Sequence, residues 1–125
     1  MMWKNLSSQY PLSSGRILSL AVYSYSNYTF GKTAYDLLDI HLTDGNLSFV
    51  EHSLCSGGEN QSWRLQKRDY FFRNGKLEHF SSVATPGLKP LEKSLSSELI
   101  AALEELIQEQ PQLEQTVRSC LEEMK

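Results

Sequence analysis

Two Asx-Gly dipeptides, Asp44-Gly45 and Asn74-Gly75, lie between runs of alternating apolar and polar residues. Both central residues of a two-residue type I′ turn need a positive φ, which Gly and Asx residues adopt more readily than other residues. Each dipeptide therefore predicts a β-hairpin, and the position of the turn predicts which residues face each other. The middle of this chain should form an antiparallel sheet.

The register predicted for the first hairpin gives one apolar and one mostly polar face, as a half-buried antiparallel pair requires. The apolar face pairs Leu42 with Leu47 and Ile40 with Phe49, and the other face pairs His41 with Ser48 and Asp39 with Val50.

Counting pairs outward from Asn74-Gly75 places both apolar and polar residues on each face of the second hairpin. It pairs Phe72 with Leu77, Tyr70 with His79, Phe71 with Glu78 and Asp69 with Phe80. Either a bulge near residues 67–69 changes the phase, or the strands carry aromatic side chains on both faces. The sequence leaves open whether the hairpin of residues 61–83 is bulged.

The chain divides into four segments. Residues 1–15 are rich in Ser, Pro and Gly and predict an irregular lead-in, attached through Trp3 and Leu6. Residues 16–84 predict the sheet, with a first strand from about 16 to 25 and a loop over 55–60, and residues 85–95 predict a connection containing two prolines. Residues 96–125 predict an acidic amphipathic helical segment.

Ser96 is a suitable helix N-cap, and Leu95 and Ile100 are spaced for a hydrophobic staple. Pro111 either kinks one long helix or starts a second one. The expected fold is a single α+β domain: an antiparallel meander sheet of about five strands, packed on one face by a C-terminal helix or helix pair.

Composition favours a self-sufficient folded domain. The chain has 125 residues, 40% of them hydrophobic, with six Tyr, five Phe and two Trp. No apolar run approaches the roughly 18 residues of a membrane-spanning helix, so we expect no membrane contact. Cys55 and Cys120 lack metal-ligand spacing and predict two reduced thiols in a cytoplasmic protein, although one disulfide stays possible.

Two segments suggest a protein-binding surface. The segment around Tyr23, Tyr25 and Tyr28 is rich in Tyr, Ser and Asn, a composition typical of recognition surfaces. The C-terminal segment carries seven Glu and two basic residues and includes Glu104, Glu105 and Glu109. These glutamates form either the solvated face of a helix or a surface that meets a basic partner.

A second hypothesis is binding of single-stranded nucleic acid. Aromatic and basic residues interleave over residues 63–76, and such a strand can stack bases while it neutralises phosphates. The residues predicted to bind are Trp63, Arg64, Lys67, Tyr70 and Arg73. The net charge of −3 argues against this hypothesis.

Catalytic signals are weak, and we expect no cofactor or metal. Cys55 near Gly57-Gly58 is the one plausible nucleophile, although its role is open, and His41, His52 and Asp39 are predicted to share the polar face of the first hairpin. A third hypothesis is thus a small-molecule enzyme or carrier with a pocket between sheet and helix. The leading expectation is a non-catalytic binding module of the inhibitor, immunity-protein or adaptor type, of open oligomeric state.

Overall fold

The computed structural model describes residues 3–29, 34–58 and 61–125. Six antiparallel strands follow one another in meander order, and two helices close the chain. The strands are β1 (Lys4–Pro11), β2 (Ile17–Thr29), β3 (Ala34–Thr43), β4 (Asn46–Gly58), β5 (Gln61–Arg73) and β6 (Lys76–Ala84); the helices are α1 (Ser97–Glu109) and α2 (Glu114–Met124). The predicted α+β meander is confirmed, with six strands.

The additional strand is β1, in the segment predicted to be an irregular lead-in. It pairs with β2 from Lys4 opposite Ser24 to Pro11 opposite Ile17. Its Ser-rich sequence lacks the alternation of a half-buried strand because β1 is an exposed edge strand. The indole Nε1 of Trp3 donates a hydrogen bond of 3.1 Å to the carbonyl of Ala102 and so attaches this edge to α1.

Both predicted turns form, with positive φ at Asp44 (50°) and Asn74 (52°) and at the glycine that follows each. The register of the first hairpin holds only at Leu42 opposite Leu47. Beyond that pair a β-bulge at Ser48 shifts the partners, and its Oγ donates to the carbonyl of His41 at 3.2 Å. The other three predicted pairs are therefore wrong. His41 faces Phe49, Ile40 faces Val50 and Asp39 faces Glu51.

The second hairpin has a bulge at the corresponding position, Glu78. Phe72 faces Leu77 as predicted, but Phe71 faces His79 and Tyr70 faces Phe80. The hairpin is thus bulged beside its turn and not near residues 67–69. Each bulge shifts the pairing by one residue. As a result, the apolar residues of β3, β4, β5 and β6 lie on the same face of the sheet, which is buried, while the opposite face is not.

Strand β4 continues to Gly58, so Cys55 lies in a strand and not in the predicted loop. Gly57 has a φ of 136°, and a Cβ there would lie 2.8 Å from the carbonyl oxygen of Ser62. Only glycine fits this approach of β4 to β5.

The helical segment begins as predicted. The Oγ of Ser96 accepts a hydrogen bond from the amide of Leu99, and Leu95 and Ile100 both join the core. Pro111 separates two helices: it opens one turn of 3₁₀ helix, Pro111–Leu113, from which α2 continues. Within the described residues, no helix has the length and apolar character needed to cross a membrane.

The core lies between the helices and one side of the sheet, which we call the inner face. Alternate residues of the central strands, such as Leu38, Ile40 and Val50, are fully buried there against Leu103 and Leu106 of α1 and the apolar stripe of α2. The opposite side is the outer face. Because both helices bury their apolar residues on the inner face, no described helix covers the outer one.

Candidate functional site

Four aromatic rings form a continuous ladder across the outer face. We call His41, Phe49, Phe71 and His79 the ring row; they are register partners on β3, β4, β5 and β6. Neighbouring ring centroids are 5.0, 4.9 and 5.6 Å apart, in tilted or edge-on contact. Val22 and Leu6 extend the row in register over β2 and β1. Within this row Phe71 is 39% exposed to solvent and Leu6 is 55% exposed.

Three carboxylates occupy the neighbouring row, two residues along each strand. We call Asp39, Glu51 and Asp69 the acid row; Asp39 faces Glu51 and Glu51 faces Asp69. Like charges directly opposed across a sheet destabilise the pair. The ordinary arrangement for a solvated face would alternate the two signs, so the acid row has a cost that the fold does not require.

Lys67 is the cation that lies against the acid row. Its Nζ is 3.6 Å from Glu51 and 3.8 Å from Asp69, so among the described residues one cation lies against three carboxyl groups. The buried Oδ1 atoms of Asp39 and Asp69 accept no hydrogen bond from the described residues. A buried acceptor without a donor costs about 1–3 kcal/mol.

The acid row also changes the titration of its central member. Burial raises the pKa of Glu51, and so do its hydrogen bond with Asp69 and the negative charges of Asp69 and Asp39, while Lys67 opposes them. Perturbed carboxylates of this kind occur preferentially at functional sites.

Further exposed apolar side chains lie on the outer face on the other side of the acid row. Val83, next to the acid row on β6, is 53% exposed, and Leu65 is also exposed. Trp63 is 56% exposed, and its ring lies edge-on to that of Tyr35 at 6.2 Å. The outer face is therefore an apolar surface with a strip of negative charge through it, which is unlike a simple solvated sheet face.

The histidine cluster predicted on the polar face is divided between the two faces. His41 and Asp39 lie on the outer face, but His52 is 2% exposed on the inner face because the Ser48 bulge reverses the phase of β4. Its Nδ1 accepts a hydrogen bond from Arg68 Nε at 2.9 Å, so the ring proton is on Nε2, 2.5 Å from Asp36 Oδ1. Both ring nitrogens are thus engaged.

The inner network holds the connection between sheet and helix. Arg68 Nη1 donates to the carbonyls of Glu92 at 2.7 Å and Ser94 at 2.9 Å, and the hydroxyl of Tyr70 donates to the carbonyl of Lys93. These bonds fix the chain that leads into α1. We therefore interpret the network of Asp36, His52 and Arg68 as structural.

The predicted tyrosine surface is not assembled. Tyr23 is buried in the core, and Tyr25 packs against the core beside Trp3, with ring centroids 5.4 Å apart. Both belong to the inner face, Tyr23 buried and Tyr25 partly buried. The side chain of Tyr28 lies outside the part of the chain that the structure describes.

The predicted acidic helix surface is partly satisfied within the chain. Glu104 of α1 accepts two hydrogen bonds from Arg118 of α2, at 3.0 and 2.9 Å, and Arg118 also contacts Glu114. Glu104 therefore links the two helices. The hydrogen bonds that Arg118 donates lower the pKa of Glu104. Glu105 is half-buried, and Glu109 is exposed.

The residues predicted to bind nucleic acid do not share one face. Alternation along β5 places Trp63, Lys67 and Arg73 on the outer face and Arg64 and Tyr70 on the inner side. Tyr70 is fully buried and has no free ring face. Lys67 lies beside carboxylates, and Arg73 lies 3.3 Å from Glu78. A phosphate backbone would meet the acid row here.

Chemistry at Cys55 has little structural support. The thiol belongs to β4 between Tyr35 and Leu65, and both Cys55 and Cys120 are free. A pocket of about 340 Å³ at this end of the sheet is lined by Asp36, Gln66, Glu98 and Cys55, among other residues. The described residues bring together no group of His, Cys, Asp and Glu that could hold a metal ion.

Comparison with protein-family models, with curated proteins and with solved structures gave no match. The function must therefore be inferred from the geometry of the outer face. Its two rows were missed at the sequence level because they exist only in the bulged register. The one available signal was the pair of mixed faces in the second hairpin, for which a bulge was one of two open explanations.

Proposed function

We propose that this protein is a non-catalytic protein-binding module that contacts its partner through the outer face of the sheet. One observation carries the proposal: the ring row and the acid row lie side by side on a face that no described helix covers. Protein interfaces are enriched in aromatic side chains, and their charged groups are arranged to complement those of the partner.

The acidic helix supports the proposal less well than the outer face does. Two of its glutamates, Glu104 and Glu114, already pair with Arg118, and surface pairs of this kind are ordinary features of helix faces. The outer face, in contrast, has partly exposed rings and three carboxyl groups against which one described cation lies. A partner that covers this face would bury the rings and could bring positive charge to the acid row.

The proposal is tested by affinity capture from lysate of the source cells with three matched proteins. These are the wild type, Phe71→Gln on the ring row and Glu109→Lys on α1. We expect a stoichiometric protein on the wild type and on Glu109→Lys that is lost on Phe71→Gln, with circular dichroism confirming that all three are folded.

Two results would overturn the proposal. The first is a partner that Phe71→Gln retains and Glu109→Lys loses, which would move the interface to the helix. The second is recovery that disappears after nuclease treatment, which would support the nucleic-acid hypothesis instead.

A further inference from the structure

The acid row also indicates the chemistry of the partner, given the proposed function. Three carboxylates lie in register on β3, β4 and β5, and Lys67 is the one cation that the structure places against them. The surplus of carboxyl groups over cations calls for positive charge from a binding partner. Such a partner would relieve the repulsion within the row.

The ring row decides which cation fits best. Rows on one face of a strand are about 7 Å apart, so the rings of Phe49 and Phe71 lie next to the carboxylates of Glu51 and Asp69. A guanidinium is planar, stacks on aromatic faces and donates to two carboxylate oxygens at once. An ammonium is a strongly hydrated point charge, and it cannot make both contacts in this way.

We infer that the outer face binds a protein segment in which arginine side chains lie beside apolar ones, the arginines facing Asp39, Glu51 and Asp69 and the apolar side chains facing the ring row. A second copy that met this face with its own outer face would bring acid row towards acid row. Self-association in that geometry opposes like charges at neutral pH.

The inference is tested by selection from a random peptide library displayed on phage, with the wild-type protein as bait. We expect the selected peptides to be enriched in Arg over Lys, with Phe, Leu, Ile or Trp nearby. Synthetic peptides of the selected sequences then serve as probes in fluorescence polarisation at low and high salt.

Three variants locate the contact. Asp39→Asn/Glu51→Gln/Asp69→Asn keeps the shape of the acid row without its charge, and we expect it to lose about tenfold or more in peptide affinity, most of it at low salt. Phe71→Gln should lose a similar factor, while Glu109→Gln on α1 serves as the control and should change nothing. Replacing Arg by Lys in the peptide should weaken binding to the wild type.

The outcomes separate the inference from the proposed function. One outcome would overturn the inference and leave the proposed function standing. In that outcome the selected peptides are not enriched in Arg, and they bind the triple Asn/Gln variant of the acid row (the carboxamide variant) but not Phe71→Gln. Peptides that bind all variants equally would overturn both. The carboxamide variant relieves like-charge repulsion and should fold, and Glu51→Gln alone offers a milder version of the same test.

Discussion

The two faces of this sheet treat their polar groups in opposite ways. On the inner face hydrogen bonds connect Asp36 through His52 to Arg68, which donates to backbone carbonyls. On the outer face three carboxylates lie in register, with buried oxygens that accept no hydrogen bond from the described residues. The inner arrangement stabilises the fold, whereas the outer one lowers its stability. The inner face also holds one buried hydroxyl, that of Ser82, without a partner among the described residues, but the opposed carboxylates all lie on the uncovered face, where a binding surface explains their cost.

The largest effect should come from breaking the inner network. Arg68→Met removes the donor to His52 Nδ1 and to the carbonyls of Glu92 and Ser94, and it leaves Asp36 without its linked positive charge. We expect a loss of about 3–5 kcal/mol in the free energy of unfolding. Urea denaturation followed by circular dichroism measures it.

Arg64→Met is the matched control for Arg68→Met, because Arg64 lies on the same strand but is exposed. Its effect should stay within about 0.5 kcal/mol. Equal, small effects of the two substitutions would show that the inner network does not hold the connection to α1.

A smaller effect is expected from the ring row. Phe71→Gln removes apolar contacts with Phe49 and His79 from a side chain that is partly exposed, and should cost about 1 kcal/mol in thermal or urea unfolding. Its effect on partner binding should be much larger than its effect on stability. A large loss of stability would instead give the ring row a structural role.

The acid row should respond in the opposite direction. Glu51→Gln removes the central negative charge, so we expect the variant to be more stable than the wild type by about 0.2–1 kcal/mol at pH 7. Urea unfolding at several pH values measures the difference. A destabilised Glu51→Gln at pH 7 would mean that the contact with Lys67 outweighs the repulsion.

The stability that Glu51→Gln gains over the wild type should depend on pH, because the pKa of Glu51 is raised in the folded protein. The native state therefore binds the proton of Glu51 more tightly than the unfolded state does. Between the unfolded pKa of about 4.3 and the raised folded value, the wild type loses stability as the pH rises. The advantage of Glu51→Gln should therefore vanish below about pH 4 and be complete above the folded pKa.

Local sequence signals predicted where the turns and the first helix lie, but not which residues of each strand point to which face of the sheet. Asp44-Gly45 and Asn74-Gly75 marked both turns, and Ser96 marked the start of α1, because each of these depends on a few adjacent residues. The bulges at Ser48 and Glu78 depend on how whole strands pack against the helices. No neighbouring residue in the sequence specifies these bulges. A shift of one residue in the pairing moves every side chain of the strand to the opposite face of the sheet.

The candidate surface could not be predicted for the same reason. The acid row exists because Asp39 faces Glu51, which needs the first bulge, and because Glu51 faces Asp69, which needs the register of β4 with β5. That register has a further shift between Ser56 and Gly58, where the sequence carries no Asx-Gly dipeptide. Likewise, Tyr23 and Tyr70 looked suitable for recognition in sequence, but the packing of the helices places both in the core.

The most direct test of the division between the two faces is an NMR titration of the isotopically labelled protein with its captured partner. We expect the largest changes in chemical shift at the two rows, near Asp39–His41, Phe49–Glu51 and Asp69–Phe71, with α1 and α2 little affected. Changes concentrated on the exposed faces of α1 and α2, with the two rows unchanged, would contradict this expectation.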